Sequence, residues 1–348
     1  MTSWEDAIRK EFGASKKRKN IKRIIVEKLD TSEFLHTKSV AKIALFLLKK
    51  FNQREGILSF YMRSFLTRLF KYDPLSEIYP SPIEIYFLVA SKDLLILPYS
   101  LVAAIQSTTN VIQKITVVCP SNIKHEVSAR IQNISHSTTS QILVETDEEV
   151  LQRCDIADFN FCSSVSKMET LKICVTMNTV RNILIVDADT LLLRKRNWLS
   201  YKTQITPIAQ EYLFGHNVFF NRFFKVQSNS GIGFVTHHGL LRGEAVTELV
   251  EKCGGISALA SAIDYGVKVG WDSVIGFPSE WQLYGEFLAT HKAKDSVVVA
   301  GFANLGISRS VLSLRDSPSH SDCLIVVNKL LSAAPKLGSL SLHAYKDL

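Results

Sequence analysis

Four short apolar runs separated by helix-length stretches constrain this chain more than any other feature. They are Ile83 to Val89, Ile115 to Val118, Ile142 to Val144 and Ile183 to Val186. Between them, helical patterns are predicted over Leu94 to Gln106, Lys124 to Ile131 and Met168 to Met177. Runs this predominantly apolar, interrupted only by Glu84 and Thr116, belong to strands buried on both faces. Strand–helix alternation at this spacing makes a largely parallel sheet with helices on both sides. The pattern begins after a boundary marked by Asp73-Pro74 and Tyr79-Pro80-Ser81-Pro82. Ligands of such sheets gather beyond the carboxyl ends of the strands, so that edge is where candidate functional residues are sought.

The residues before the boundary are of another kind. Residues 1–73 carry 17 Lys/Arg against 8 Asp/Glu, and the other 275 carry 24 against 25. The basic excess therefore belongs to an extension over residues 1–80, and residues 81–348 form the α/β domain. Lys16-Lys17-Arg18-Lys19 is a cationic block, and two amphipathic runs follow, around Phe34–Phe51 and Ile57–Phe70. Either these helices pack on the domain with their charges solvated, or they lie on an anionic membrane surface. No nucleic-acid module accompanies the charge, which argues against a nucleic-acid partner. No stretch is long and apolar enough to span a bilayer. Six cysteines without a C-x-x-C pair fit neither a disulfide framework nor a zinc site. The expected location is cytoplasmic, peripheral on the inner face of a membrane if the extension binds lipid.

The most informative segment is Ile183-Leu184-Ile185-Val186-Asp187-Ala188-Asp189-Thr190. In extended backbone, residues i and i+2 project to one side about 6–7 Å apart. Two carboxylates so placed repel unless a cation or a proton relieves them. Oxygen ligands on a rigid element suit Mg²⁺ or Mn²⁺, with positions left for phosphate oxygens. The plain alternative is a strand-end turn with solvated aspartates.

This segment resembles the metal-binding D-x-D strand of GT-A-fold glycosyltransferases, and the resemblance extends over roughly residues 83–348. Ile85 to Asp93 is similar to the first strand and nucleotide-facing loop of that fold, and Lys172 to the basic residue pointed at the donor. Asn229-Ser230-Gly231-Ile232-Gly233-Phe234 resembles the strand that borders the sugar pocket. Pro278-Ser279-Glu280-Trp281-Gln282-Leu283-Tyr284-Gly285 resembles a segment of a bacterial branch of these proteins. Leu342-His343-Ala344-Tyr345-Lys346 resembles the C-terminal segment whose His completes the metal shell. The implied fold is a GT-A-like three-layer sandwich around a mostly parallel sheet. The implied activity is metal-dependent transfer of a sugar from a nucleotide-sugar to a saccharide or lipid-linked acceptor.

On that resemblance Asp187, Asp189 and His343 hold Mn²⁺ or Mg²⁺. Asp187, Lys172, Asp93, Asn229, Gly231 and Lys346 face the donor. Glu280, beside Trp281 and Tyr284 that would stack on a sugar ring, is the candidate base, with Asp272 as a second. Residues 90–93 lack the Thr or aromatic often found in the nucleotide-facing loop, which leaves the base open. Adjacent His237 and His238 should point to opposite faces, so they cannot readily share one metal. Glu145-Thr146-Asp147-Glu148-Glu149 is either a solvated turn or, through Glu145 or Asp147, a reader of the donor's base or ribose. Two rivals are a haloacid-dehalogenase-type phosphatase with Asp187 as nucleophile and a transferase-like binding protein without turnover. The phosphatase motif normally stands near its domain's start, with Gly or Val after the second Asp, whereas Thr190 follows here.

Overall fold

The computed structural model describes residues 80–135, 140–201, 203–209, 214–224, 233–269, 278–291, 297–301, 304–308, 312, 314–333 and 338–343. The basic extension before Pro80 lies outside them, as do Asn229, Gly231, Asp272 and Lys346. In chain order the first half runs β1 (Ile83–Leu88), α1 (Leu97–Ser107), β2 (Ile112–Cys119), α2 (Lys124–Ser135), β3 (Gln141–Thr146), α3 (Asp147–Arg153), α4 (Ser164–Cys174), β4 (Asn182–Asp187) and β5 (Thr190–Leu192). The second half runs β6 (Leu199–Ser200), β7 (Thr203–Ile208), α5 (Phe214–Phe224), β8 (His238–Arg242), α6 (Gly243–Lys252), α7 (Ile256–Val269) and α8 (Glu280–His291). It closes with β9 (Val297–Gly301), β10 (Asn304–Ser308), α9 (His320–Ala333) and β11 (Ser339–His343).

The central sheet has the order β3-β2-β1-β4-β8. Its first four strands are parallel, and β8 alone runs antiparallel, against β4. All four apolar runs of the sequence are these parallel strands. Two smaller sheets flank it, β10-β11-β5 and β6-β7-β9.

The reason for continuous apolar runs is visible in the two cores. Ile85, Phe87, Leu184 and Val186 point into one core, which also holds α1, α2 and α9. Their neighbours Tyr86, Leu88, Ile183 and Ile185 point into the other, with α3, α4, α6, α7 and α8. Successive side chains alternate faces, and both faces are covered, so most positions are apolar, with Glu84 and Thr116 as buried polar exceptions. The result is a three-layer α/β sandwich around a mostly parallel sheet, consistent with the GT-A-like architecture expected.

Helix starts follow local chemistry. Thr146 caps α3: its side chain accepts from the Glu149 N–H, and the Glu149 carboxylate accepts from the Thr146 N–H. The acidic cluster Glu145–Glu149 is therefore largely a helix start, with its charges in the favourable first turn. Asp147 pairs with Lys167 at 2.5 Å, and Glu145 with Arg153 at 2.9 Å and Lys114 at 3.7 Å. These pairings are the physical reason for setting aside Glu145 and Asp147 as readers of a base.

Gly285, in the middle of α8, is a packing requirement. A Cβ there would stand 2.1 Å from Cγ of the buried Phe234 ring. Gly285→Ala should lower stability by about 2 kcal/mol through overpacking, measured by chemical denaturation at equilibrium. An unchanged midpoint would show that the Phe234 ring moves aside freely.

Candidate active site

The acidic triplet bridges two sheets. Asp187 is the last residue of β4, level with Leu88 of β1, and Asp189 directly precedes β5. Three backbone groups of this turn are each held by a different part of the fold. The Asp187 N–H donates to the His237 carbonyl at 2.9 Å. The Ala188 carbonyl accepts from Ser100 Oγ of α1 at 2.7 Å. The Asp189 carbonyl accepts from the Leu342 N–H at 2.8 Å. A small residue is needed between the acids because Ala188 is buried, at 2% exposure. The two carboxyl groups thus stand at the carboxyl edge of the sheet, as the strand pattern implied.

Asp187 is gripped from two sides. Lys172 Nζ of α4 lies 2.9 Å from Oδ1, and His237 Nδ1 lies 3.1 Å from Oδ2. Burial opposes the charge on Asp187, but Lys172 and His237 outweigh it and hold the carboxyl well below the usual range. Burial likewise opposes a charge on His237, and its bond to Asp187 overrides that and raises the imidazole's pKa. The neighbouring His238 is driven the other way, down to about 3, by burial and by the charges of His237 and Arg196. It packs edge-on against Trp198, with ring centroids 5.6 Å apart. The two histidines do point to opposite faces, and only His237 meets the acidic pair. Its φ of 61° is in the left-handed region, uncommon for a non-glycine residue and tolerated where surroundings over-determine it.

Lys172 also meets Glu280, its Nζ 2.5 Å from Oε1, and lies over the Trp281 ring at 5.1 Å from the centroid. Glu280 is only 1% exposed. A base must reach the acceptor hydroxyl, whereas this carboxylate is enclosed and engaged by an ammonium. The sequence expectation for Glu280 therefore changes: in this arrangement it is the charge partner of Lys172. The aromatic residues beside it are likewise interior. Trp281 is 5% exposed and Tyr284 3%. The Tyr284 hydroxyl accepts from the Arg242 N–H at 2.9 Å. Neither ring is open to stack on a sugar.

One carboxylate was not anticipated. Glu169 stands one helical turn before Lys172, and its Oε2 accepts from the Glu280 N–H at 2.8 Å. Burial pushes its pKa up to about 7, with the Asp187 charge adding to the rise and Lys172 opposing it. The i, i+3 spacing of Glu169 and Lys172 on one helix face was the available signal. Helix α4 is itself tied down at its start, where Asp264 of α7 accepts from the Cys162 N–H and from Ser166 Oγ, both at 2.7 Å.

The remaining expectations are placed as follows. Asp93 is the buried residue of an otherwise exposed turn beyond the end of β1, and its carbonyl accepts from the Ile96 N–H on the way into α1. His343 ends β11, level with Ser308 and one residue past Leu342, the residue bonded to Asp189. The strand antiparallel to β4 is His238–Arg242; of the Asn229–Phe234 segment only Gly233 and Phe234 are among the described residues.

Among the described residues no group of three or more His, Cys, Asp or Glu is assembled as a metal cage. The donor chemistry nevertheless fits a hard divalent ion. Asp187 and Asp189 offer carboxylate oxygens at one edge, the ligand type such an ion takes. No helix among the described residues is long and apolar enough to cross a membrane.

No protein-family model matches the chain, and no curated protein does. Many solved structures share part of its trace, and two serve as examples. One is the apo structure of the WbbM bifunctional glycosyltransferase, 8% identical, covering 77% of this chain and 46% of that one, with a TM-score of 0.45. The other is apo mouse xyloside xylosyltransferase 1, 10% identical, covering 77% and 99%, with a TM-score of 0.41. At such values the reading of the site rests on its own residues.

Two outcomes are expected. Lys172→Met leaves Glu280 buried beside no cation and should cost about 3 kcal/mol in urea unfolding; adding Glu280→Gln should recover part of the loss. No recovery would mean that the Lys172–Glu280 pair is not the stabilising contact. The second concerns pH. A carboxyl whose pKa is raised on folding binds its proton more tightly in the folded state, so stability falls as pH rises from about 4.5 to about 7. His237, also raised, adds to the loss at higher pH. Asp187, lowered, contributes fully throughout this window and loses its contribution only in acid. Glu169→Gln should therefore gain on the parent protein between about pH 5 and pH 8, read from urea midpoints. Parallel profiles would remove the assignment.

Proposed function

We propose that the chain is a metal-dependent glycosyltransferase of GT-A type, which moves a sugar from a nucleotide-sugar to a saccharide or lipid-linked acceptor. A role in surface polysaccharide synthesis would suit such an acceptor. The observation that carries this reading is Asp187-Ala188-Asp189 at the carboxyl edge of a parallel sheet, with Lys172 and His237 against Asp187. Asp187 and Asp189 would hold Mn²⁺ or Mg²⁺, with His343 as the third ligand that the resemblance implies. When bound, the ion would neutralise the diphosphate leaving group as a Lewis acid.

The chain's own residues have separate tasks. Lys172 would supply a point cation to the diphosphate while remaining seated between Asp187 and Glu280. His237 would keep Asp187 ionised and oriented. Asp93, Asn229, Gly231 and Lys346 remain candidates for the donor's nucleoside and sugar. Asp272 is the remaining candidate base for the acceptor hydroxyl, because Glu280 is enclosed. Residues 1–73, with their basic excess, would attract an anionic membrane surface that presents a lipid-linked acceptor.

A thermal-shift screen of nucleoside diphosphates with and without Mn²⁺ tests this reading. Stabilisation by one nucleotide only when Mn²⁺ is present, lost in Asp189→Ala, is expected. At a ligand concentration of a hundred times Kd the gain should be about 2.7 kcal/mol. Phosphate release from phosphomonoesters that disappears in Asp187→Asn would instead favour the phosphatase.

A further inference from the structure

Helix α4 holds Glu280 at two points. Glu169 takes its backbone N–H at 2.8 Å, and Lys172, one turn further along the same face, takes its carboxylate at 2.5 Å. The first N–H groups of a helix have no partner within the helix. The local candidate in α8 is weak, since Ser279 Oγ lies 3.5 Å from the Gln282 N–H. The start of α8 is thus capped by a residue that comes from another helix, 111 positions earlier in the chain.

This cap has a consequence for the acidic edge. Lys172 has a flexible stem, and its ammonium meets two anions, Asp187 Oδ1 and Glu280 Oε1. The place of the ammonium depends on where Glu280 stands, and that is set by the bond from Glu169. Burial raises the pKa of the Glu169 carboxyl to about 7, and the Glu280 backbone N–H is the donor that meets it.

We propose that Glu169 is a positioning residue for the donor's diphosphate, acting through Glu280 to hold the Lys172 ammonium at the Asp187 edge. This rests on the donor-site reading above and deepens it. Glu169 touches neither metal nor substrate. The groups that face it are Lys172 on its own helix, the start of α8 at Glu280, Asp187 on β4 and His237 before β8.

The test uses the full chain, with inorganic pyrophosphate as the probe, titrated by calorimetry in the presence of Mn²⁺, and with Mn²⁺ binding measured separately by electron paramagnetic resonance. Glu169→Ala should weaken pyrophosphate binding about fivefold while Mn²⁺ affinity stays unchanged. Glu169→Gln keeps an acceptor oxygen for the Glu280 N–H and should retain most of the affinity; it also serves if the alanine variant does not fold. The decisive comparison is in the Lys172→Met background, where removing Glu169 should have no further effect, because the ammonium it places is gone. An equal loss in both backgrounds, a parallel fall in Mn²⁺ affinity, or loss with Glu169→Gln as large as with Glu169→Ala would overturn the proposal and leave the donor site standing. Failure of the unmodified protein to bind pyrophosphate with Mn²⁺ would overturn both together.

Discussion

A single ammonium, that of Lys172, holds the candidate site together. It is nearly enclosed, and it stands between Asp187 at the end of β4 and Glu280 at the start of α8. Charges removed from water cost several kcal/mol each unless they are paired. None of the three groups can therefore be buried alone. The pairings constrain the backbone around them: α4 must lie across the end of β4, and α8 must begin where its first carboxylate reaches the lysine. His237 completes the arrangement from the opposite side of Asp187, at the entry to the one antiparallel strand of the central sheet.

This cluster also explains why neighbouring residues are interior. Trp281 underlies the ammonium and rests against Gly239 of β8, where a Cβ would come within 3.0 Å of the ring. Tyr284 bonds the end of β8, and Gly285 admits Phe234. The segment from Glu280 to Gly285 is thus a packing and charge device that joins α8 to the sheet.

The parts of the site that were legible beforehand are those carried by local pattern. Asp187-Ala188-Asp189 stood out because an unbroken apolar run ended in two acids, at the point where the strand reaches the sheet edge. The opposite directions of His237 and His238 agree with the expectation from strand alternation, although His237 itself stands before β8 with a φ of 61°. Glu169 was missed because its partner is a backbone N–H more than a hundred residues away, which leaves no trace in residue type. Glu280 was legible as important but not in its part, since exposure separates a base from a buried counter-charge. That His237, of the two histidines, meets Asp187 depends on the register of β8 against β4, where a one-residue shift would exchange them.

The sequence by itself determined the layer order of this protein. Strand-length apolar runs and helical repeats are local patterns, and burial on two faces makes most positions of the inner strands apolar. It also determined that two carboxylates would stand at one strand end. Only the tertiary structure decided which cations meet them. Lys172, His237, Glu169 and Glu280 come from three separated stretches of chain, and electrostatic pairing acts through space between groups whose separation along the chain carries no energy.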